Sequence, residues 1–273
     1  MVKLEKEDGS FIYVDDSQAN LVGIGQCSSV YRYFDDCVKL LDQDILFNKF
    51  RSSIKTIKGV KSDNLYEIKD LLKGYWDDGV RVRYDYVGYL MRYYESFFNS
   101  SVKLSDDITV SVFDIFKMPI EYIIENYYGL IELANKLAKK DIVINDLHHD
   151  NCIKTKDKIV VIDCDHYNVE KRCMNPFERN FQSINYLFQS LFFDAFLLNY
   201  EFIDDRHYID QVPFDSDILF NKNIVLYRSQ IMDCFKYLFN FYNLDEFKNS
   251  CRSYTKCKNM GEYLDERYNF KKK

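Results

Sequence analysis

Asp146, Asn151 and Asp163 are the residues of this chain whose types and spacing could act together in a chemical step. They fall in the run DLHHDNCIKTKDKIVVIDCD (146–165), where a carboxylate and a carboxamide stand five residues apart and a further carboxylate follows a short basic turn. The turn KTKDK predicts a chain reversal, and the apolar run Ile159-Val160-Val161-Ile162 predicts a buried strand that returns Asp163 to the loop bearing Asp146 and Asn151. Three oxygen-bearing side chains converging on one point suit phosphoryl transfer. That reaction needs a group to orient or deprotonate an attacking hydroxyl, and oxygen ligands for a magnesium ion that offsets charge on the β- and γ-phosphates.

A phosphate-binding element would have to lie elsewhere in the chain. Residues 21–40, LVGIGQCSSVYRYFDDCVKL, read as a strand, a glycine turn, a second strand, an Asp35-Asp36 turn and a third strand carrying Lys39. Gly23 and Gly25 would let backbone amides approach phosphate oxygens with no Cβ in the way, and Ser28 offers a hydroxyl. Lys39 sits in the apolar frame Cys37-Val38-Lys39-Leu40-Leu41, where an ammonium turned inward requires an anion beside it.

These two segments, in this order, resemble the protein kinase-like superfamily. DLHHDN followed by IDCD resembles its catalytic loop and metal-binding segment. Gly23, Gly25 and Val30 take matching places in the Gly-x-Gly-x-x-Gly-x-Val loop, with Ser28 where the third glycine would be. His148, two residues after Asp146, and the acidic Asp165 are more similar to the aminoglycoside and choline phosphotransferase branch than to regulated protein kinases. The resemblance implies ATP and Mg2+ as cofactors. It implies Asp146 as the catalytic base or hydroxyl-orienting residue, His148 as a brace of that loop, Asn151 and Asp163 as magnesium ligands and Asp165 as an accessory one. Nucleotide contacts would come from Gly23, Gly25, Ser28, Val30 and Lys39, with Met91 near the floor of the adenine pocket and residues 92–95 as the connection between lobes.

The implied fold is α+β and two-lobed: a small antiparallel sheet with a helix over 1–95, a mainly helical part over 96–273, and together one kinase-like catalytic domain. The intervening patterns agree with such parts. Residues 44–57 have helical periodicity, and NLYEIKDLL and VRVRYDYVGYLMRYYE predict two antiparallel strands around the turn Asp77-Asp78-Gly79. IEYIIENYYGLIELANKLAKK predicts a helix of about twenty residues starting near Pro119. NFQSINYLFQSLFFDAFLL and residues 224–248 predict two further apolar helices.

Several features depart from the family pattern. Residues 41–66 contain no Glu to pair with Lys39, so Asp44, Glu67, Asp163 or phosphate alone would have to balance its charge. Ile144-Asn145-Asp146 replaces His-Arg-Asp, and there is no Ala-Pro-Glu motif, which disfavours control by activation-loop phosphorylation. A hydroxyl on a small molecule or on a protein Ser/Thr is the expected acceptor. Two alternatives are a nucleotide-binding pseudokinase that acts as an interaction module, and nucleotidyl transfer on the same scaffold.

Composition bounds the reading further. The 273 residues have a formal charge of −6, which argues against nucleic acid as a partner, and 47% are hydrophobic, enough for a sizeable core. No apolar run is long enough for a membrane span and the N-terminus lacks a signal core, so a cytoplasmic protein is expected, with its eight cysteines reduced. His148, His149, Cys152, Cys164 and His166 match no familiar zinc-ligand spacing.

Overall fold

The computed structural model describes residues 1–25, 28–41, 54–77, 82–105, 107–145, 147–163, 168–169, 175–199, 259 and 261–262. Within them the protein is mixed α and β, and its strands pair antiparallel in every sheet. The chain divides into two compact units: residues 1–95, 129–155 and 159–183 form the first, and residues 96–128, 156–158 and 184–273 the second.

The first unit contains a seven-stranded sheet. Its strands are β1 (Val2–Glu5), β2 (Phe11–Val14), β3 (Leu21–Gly25), β4 (Ser28–Tyr33), β5 (Asp36–Leu41), β6 (Ile68–Asp77) and β7 (Val82–Arg92), in the order β2-β1-β6-β7-β5-β4-β3. Sequence patterning anticipates β3 to β7 but not the opening hairpin β1–β2. That hairpin is only four residues per strand, yet β2 alternates exposed Phe11 and Tyr13 with buried Ile12 and Val14, the period-two pattern of a half-buried strand.

One face of this sheet curls around its own core. Leu4, Ile12, Val14, Val38, Leu72 and Leu90 cluster there, with Tyr31, Leu40 and Val87 packed against them. Each such buried aliphatic side chain stabilises the fold by about 2 kcal/mol relative to exposure. The opposite face is left for other contacts, and it carries the residues of chemical interest.

At Gly88 the backbone of β7 leaves no room for a side chain against β5. A Cβ at Gly88 would fall 2.0 Å from the Lys39 carbonyl oxygen. Only glycine fits there, since any side chain would push apart the two strands that hold Lys39 in register.

Strands β8 (Ser100–Lys103) and β9 (Thr109–Val112) belong to the second unit, and β10 (Ile142–Val143), β11 (Cys152–Lys154), β12 (Ile159–Val161) and β13 (Asn168–Val169) to the first. β11 and β12 form the hairpin expected around KTKDK, with Cys152 opposite Val161 and Lys154 opposite Ile159. The long helices among the described residues are α1 (Ile120–Ala138) and α2 (Pro176–Asn199), each contributing residues to both units. Both match the apolar periodicity of their sequences. Residues 54–58 are also helical, at the end of the helix expected over 44–57, whose residues 44–53 lie outside the described residues, as does the helix expected over 224–248. Among the described residues, 96–273 therefore show two long helices and several short strands, and the mainly helical part expected there is not borne out.

In the second unit the loop after β9 is organised by Asp114, which is wholly buried. Its carboxylate accepts from the Phe116 N–H at 3.0 Å and from Asn199 Nδ2 at 2.8 Å, while the Asn99 carboxamide bonds both the Asp114 N–H and its carbonyl. A buried carboxylate is tolerated because these donors replace water. Phe116 meets Phe192 edge to face at 5.6 Å, and Tyr127 meets Phe188 likewise at 5.2 Å.

Candidate functional site

The sheet face opposite the curled core carries a continuous cross-strand row. Gly23 pairs with Val30, Val30 with Lys39, Lys39 with Tyr89 and Tyr89 with Leu71. Residues directly opposite in an antiparallel ladder share a face, so these five point the same way. Met91, two residues beyond Tyr89 and opposite both Cys37 and Ile68, lies on that face as well and is buried. Gly25 pairs with Ser28 at the hairpin end, where a Cβ on Gly25 would come within 2.9 Å of Ser28 Oγ. A Cβ at Gly23, by contrast, would meet nothing within 4 Å.

Lys39 emerges from this row almost entirely shielded, with 4% of its side chain exposed, and its Nζ lies 2.7 Å from Asp163 Oδ1. Asp163 is 29% exposed, so water reaches the carboxylate but hardly the ammonium. Among the described residues, Asp163 is one of the anions open to Lys39 on sequence grounds that does reach it. Asp44 lies outside the described residues, and Glu67 uses its backbone carbonyl to accept from the Arg92 N–H at 3.0 Å.

The backbone explains how Asp163 gets there. Strand β12 is bonded on one side to β11 and on the other to residues 64–66: the Val161 N–H donates to the Asn64 carbonyl and the Tyr66 N–H donates to the Val161 carbonyl, both at 2.9 Å. The Asn64 side chain adds a third tie through Nδ2 to the Ile159 carbonyl. Two residues past β12, Asp163 adopts φ +58°. This left-handed conformation is uncommon outside glycine, although Asp tolerates it better than most, and it turns the side chain out of the strand's alternation. Residues held this way cluster at functional sites.

The neighbouring loop is pinned from several sides. Asn151 accepts from the Ile162 N–H through its backbone carbonyl at 2.9 Å, which places it beside Asp163 at the open end of the β11–β12 hairpin. His148 Nδ1 accepts from the Asp150 N–H at 3.3 Å and so caps the short 3-10 turn His149–Asn151. On the approach to the loop, the buried Asn180 of α2 makes three backbone contacts: Oδ1 accepts from the Ile144 N–H at 2.7 Å, and Nδ2 donates to the carbonyls of Ile142 and Ala134 at 3.0 and 3.3 Å. Ser183 Oγ donates to the Ile144 carbonyl at 3.2 Å.

Burial sets the ionisation of the surrounding groups. It pushes the Cys37 thiol up to about 11 and the Cys152 thiol up to about 12, so both remain protonated and behave as small apolar groups. Burial holds the His149 imidazole below its ordinary pKa, with Asp150 acting in the opposite sense.

The described site therefore gathers Gly23, Gly25, Ser28, Val30, Lys39 and Met91 on or beside one sheet face, with Asp163 on Lys39, Asn151 next to Asp163 and His148 within the same loop. Asp146 and Asp165 lie outside the described residues. Sequence reading missed Asn64, Tyr66, Gly88, Tyr89 and Asn180. Of these only Gly88 carried a signal, a glycine inside a strand pattern, which marks close backbone approach. Compared with known proteins, the chain matches no family model and no curated relative.

Proposed function

We propose that this chain is an ATP- and magnesium-dependent phosphotransferase of two-lobed protein kinase-like fold, transferring the γ-phosphate to a hydroxyl. The observation that carries the reading is the Lys39–Asp163 pair, in which a strand lysine and a carboxylate at the end of a distant hairpin meet at 2.7 Å. The two groups have the complementary chemistries that a metal nucleotide needs.

The residues present suit both cofactors. Oxygen donors from Asp163 and Asn151 match the preference of magnesium, and the dry Lys39 ammonium matches a phosphate oxygen. Open space at Gly23 leaves room for phosphates against the backbone of β3. Lys39 would hold the phosphates; Asp163, Asn151 and Asp165 would hold the metal; Val30 and Met91 would face the base. Magnesium, when bound, supplies positive charge against the β- and γ-phosphates.

The chain's own groups do the remaining work. Asp146 orients the acceptor hydroxyl and receives its proton. His148 keeps the loop after it in shape through the Asp150 N–H. With nucleotide and magnesium bound, Lys39 would direct its charge to phosphate oxygens and Asp163 would serve as a metal ligand. Burial of the ammonium strengthens that interaction relative to water. The DLH and IDCD variants favour a small-molecule acceptor over a protein, and reduced buried thiols fit a cytoplasmic setting.

Purified protein incubated with magnesium and γ-labelled ATP should transfer or release label, and Asp146→Ala should abolish this. Asp163→Ala should remove the magnesium dependence of nucleotide binding. Nucleotide binding without turnover over a broad panel of hydroxyl acceptors would overturn the proposal in favour of a pseudokinase. Incorporation from α-labelled ATP alone would overturn it in favour of nucleotidyl transfer.

A further inference from the structure

Behind Lys39 lie two buried tyrosines that the phosphotransferase reading does not use. Tyr89 stands directly opposite Lys39 in the sheet and on the same face, with no exposure, and Tyr66 is 2% exposed. The Tyr66 hydroxyl donates to the Tyr89 hydroxyl at 3.2 Å, and the rings lie 5.9 Å apart at 47°. Buried phenols are costly unless their hydroxyls find partners, so such a pair fixes both rings.

The connections of these residues close a circuit. Tyr66 is bonded through its N–H to the carbonyl of Val161, two residues before Asp163. Asp163 reaches Lys39 at 2.7 Å, Lys39 faces Tyr89 across the ladder, and Tyr89 returns to Tyr66. Besides the backbone bonds of residues 64–66, the sheet and the end of β12 are thus tied by an ion pair and by a pair of hydroxyls. A nucleotide would compete for the ion pair, whereas it has no reason to disturb the phenols.

We infer that Tyr66 and Tyr89 are positioning residues for Lys39: their hydroxyl pair holds the lysine strand and the Asp163 strand end at a fixed separation, the task that a helix glutamate would otherwise share. The pair acts through Lys39. The kinetic side of this inference rests on the phosphotransferase reading; the structural side does not.

The test compares the full chain with Tyr66→Phe and Tyr89→Phe, which remove one oxygen each and keep the ring, and with Tyr13→Phe, an exposed control. Lys39 carbamylation by cyanate is followed by mass spectrometry in the absence of nucleotide. Both buried variants should raise the Lys39 rate roughly fivefold, as expected for loss of one hydrogen bond of ordinary net strength. Tyr13→Phe should leave it unchanged, and so should all three variants at Lys69, which is paired with Asp36 at 2.6 Å on the same sheet. Unchanged Lys39 labelling in both buried variants overturns the inference, as does parallel acceleration at Lys69, which would mean general loosening.

In turnover with ATP and magnesium, the two variants should lower kcat by a similar factor while KM for the acceptor holds. An unaltered kcat in an active protein also overturns the positioning role. If the wild-type chain does not turn over, the phosphotransferase reading fails by itself, and the labelling result decides how Lys39 is held.

Discussion

Lys39 Nζ and Asp163 Oδ1 lie 2.7 Å apart although 124 positions separate them in the chain, and their solvation is unequal: 4% of the lysine side chain is exposed against 29% of the aspartate. Removing one member of such a pair is therefore not equivalent to removing the other. Asp163→Asn leaves a buried ammonium without this carboxylate and should cost about 3 kcal/mol. Lys39→Met leaves a carboxylate that water reaches and should cost about 1 kcal/mol. Urea unfolding of both variants measures the difference, and a greater loss in Lys39→Met would contradict this account of the pair.

Gly88 and Gly23 make a second comparison. A methyl group at Gly88 would overlap the Lys39 carbonyl oxygen, so Gly88→Ala should force β5 and β7 apart at a cost of about 3 kcal/mol. Gly23→Ala enters open space and should change stability by less than about 0.5 kcal/mol. Thermal unfolding of the two variants checks the contrast. Near-equal melting temperatures would mean that the strands yield more readily than their separation suggests.

Asn180 fixes the approach to the loop by one accepted and two donated hydrogen bonds. Asn180→Ala strands the buried Ile144 N–H and should cost about 3 kcal/mol, read out as faster hydrogen exchange at that amide. In Asn180→Asp the ionised carboxylate would face the carbonyls of Ile142 and Ala134. Its pKa would rise on folding, because the protonated form can donate to one of them. The variant should therefore be least stable at neutral pH and should recover as the pH falls through that raised pKa. A pH series of denaturant midpoints against wild type gives the sign.

The thiols of Cys37 and Cys152, pushed up to about 11 and about 12 by burial, should resist alkylation by iodoacetamide at pH 8. Mapped labelling should show both unmodified in the folded protein and both modified in guanidinium. Rapid labelling of either in the native state would show that the sheet face or the β11–β12 hairpin opens locally.

Much of the local structure was legible in the chain. Strands β3 to β7, the β11–β12 hairpin and the two long helices follow from period-two and helical apolar patterns, which depend on neighbouring residues alone. The hairpin β1–β2 and the pair β8–β9 were not read, because four-residue strands carry too few alternations to stand out from turns. Gly23, Gly25, Lys39, Asn151 and Asp163 were singled out because their residue types are chemically conspicuous. Asn64, Tyr66, Tyr89 and Asn180 were not, because an amide or a phenol within an apolar stretch looks like packing until its partner is known.

The sequence by itself determined that Lys39 lies on a strand with apolar neighbours and that Asp163 follows a buried strand, since both follow from alternation over a few residues. It left the lysine's counter-charge open among four choices. Only the tertiary structure shows Asp163 seated on that ammonium. That placement depends on residues 64–66 bonding along β12, on the close approach of β7 at Gly88 and on a left-handed backbone at Asp163. These are contacts between segments far apart in the chain, and no local pattern encodes which distant partner will satisfy a buried charge.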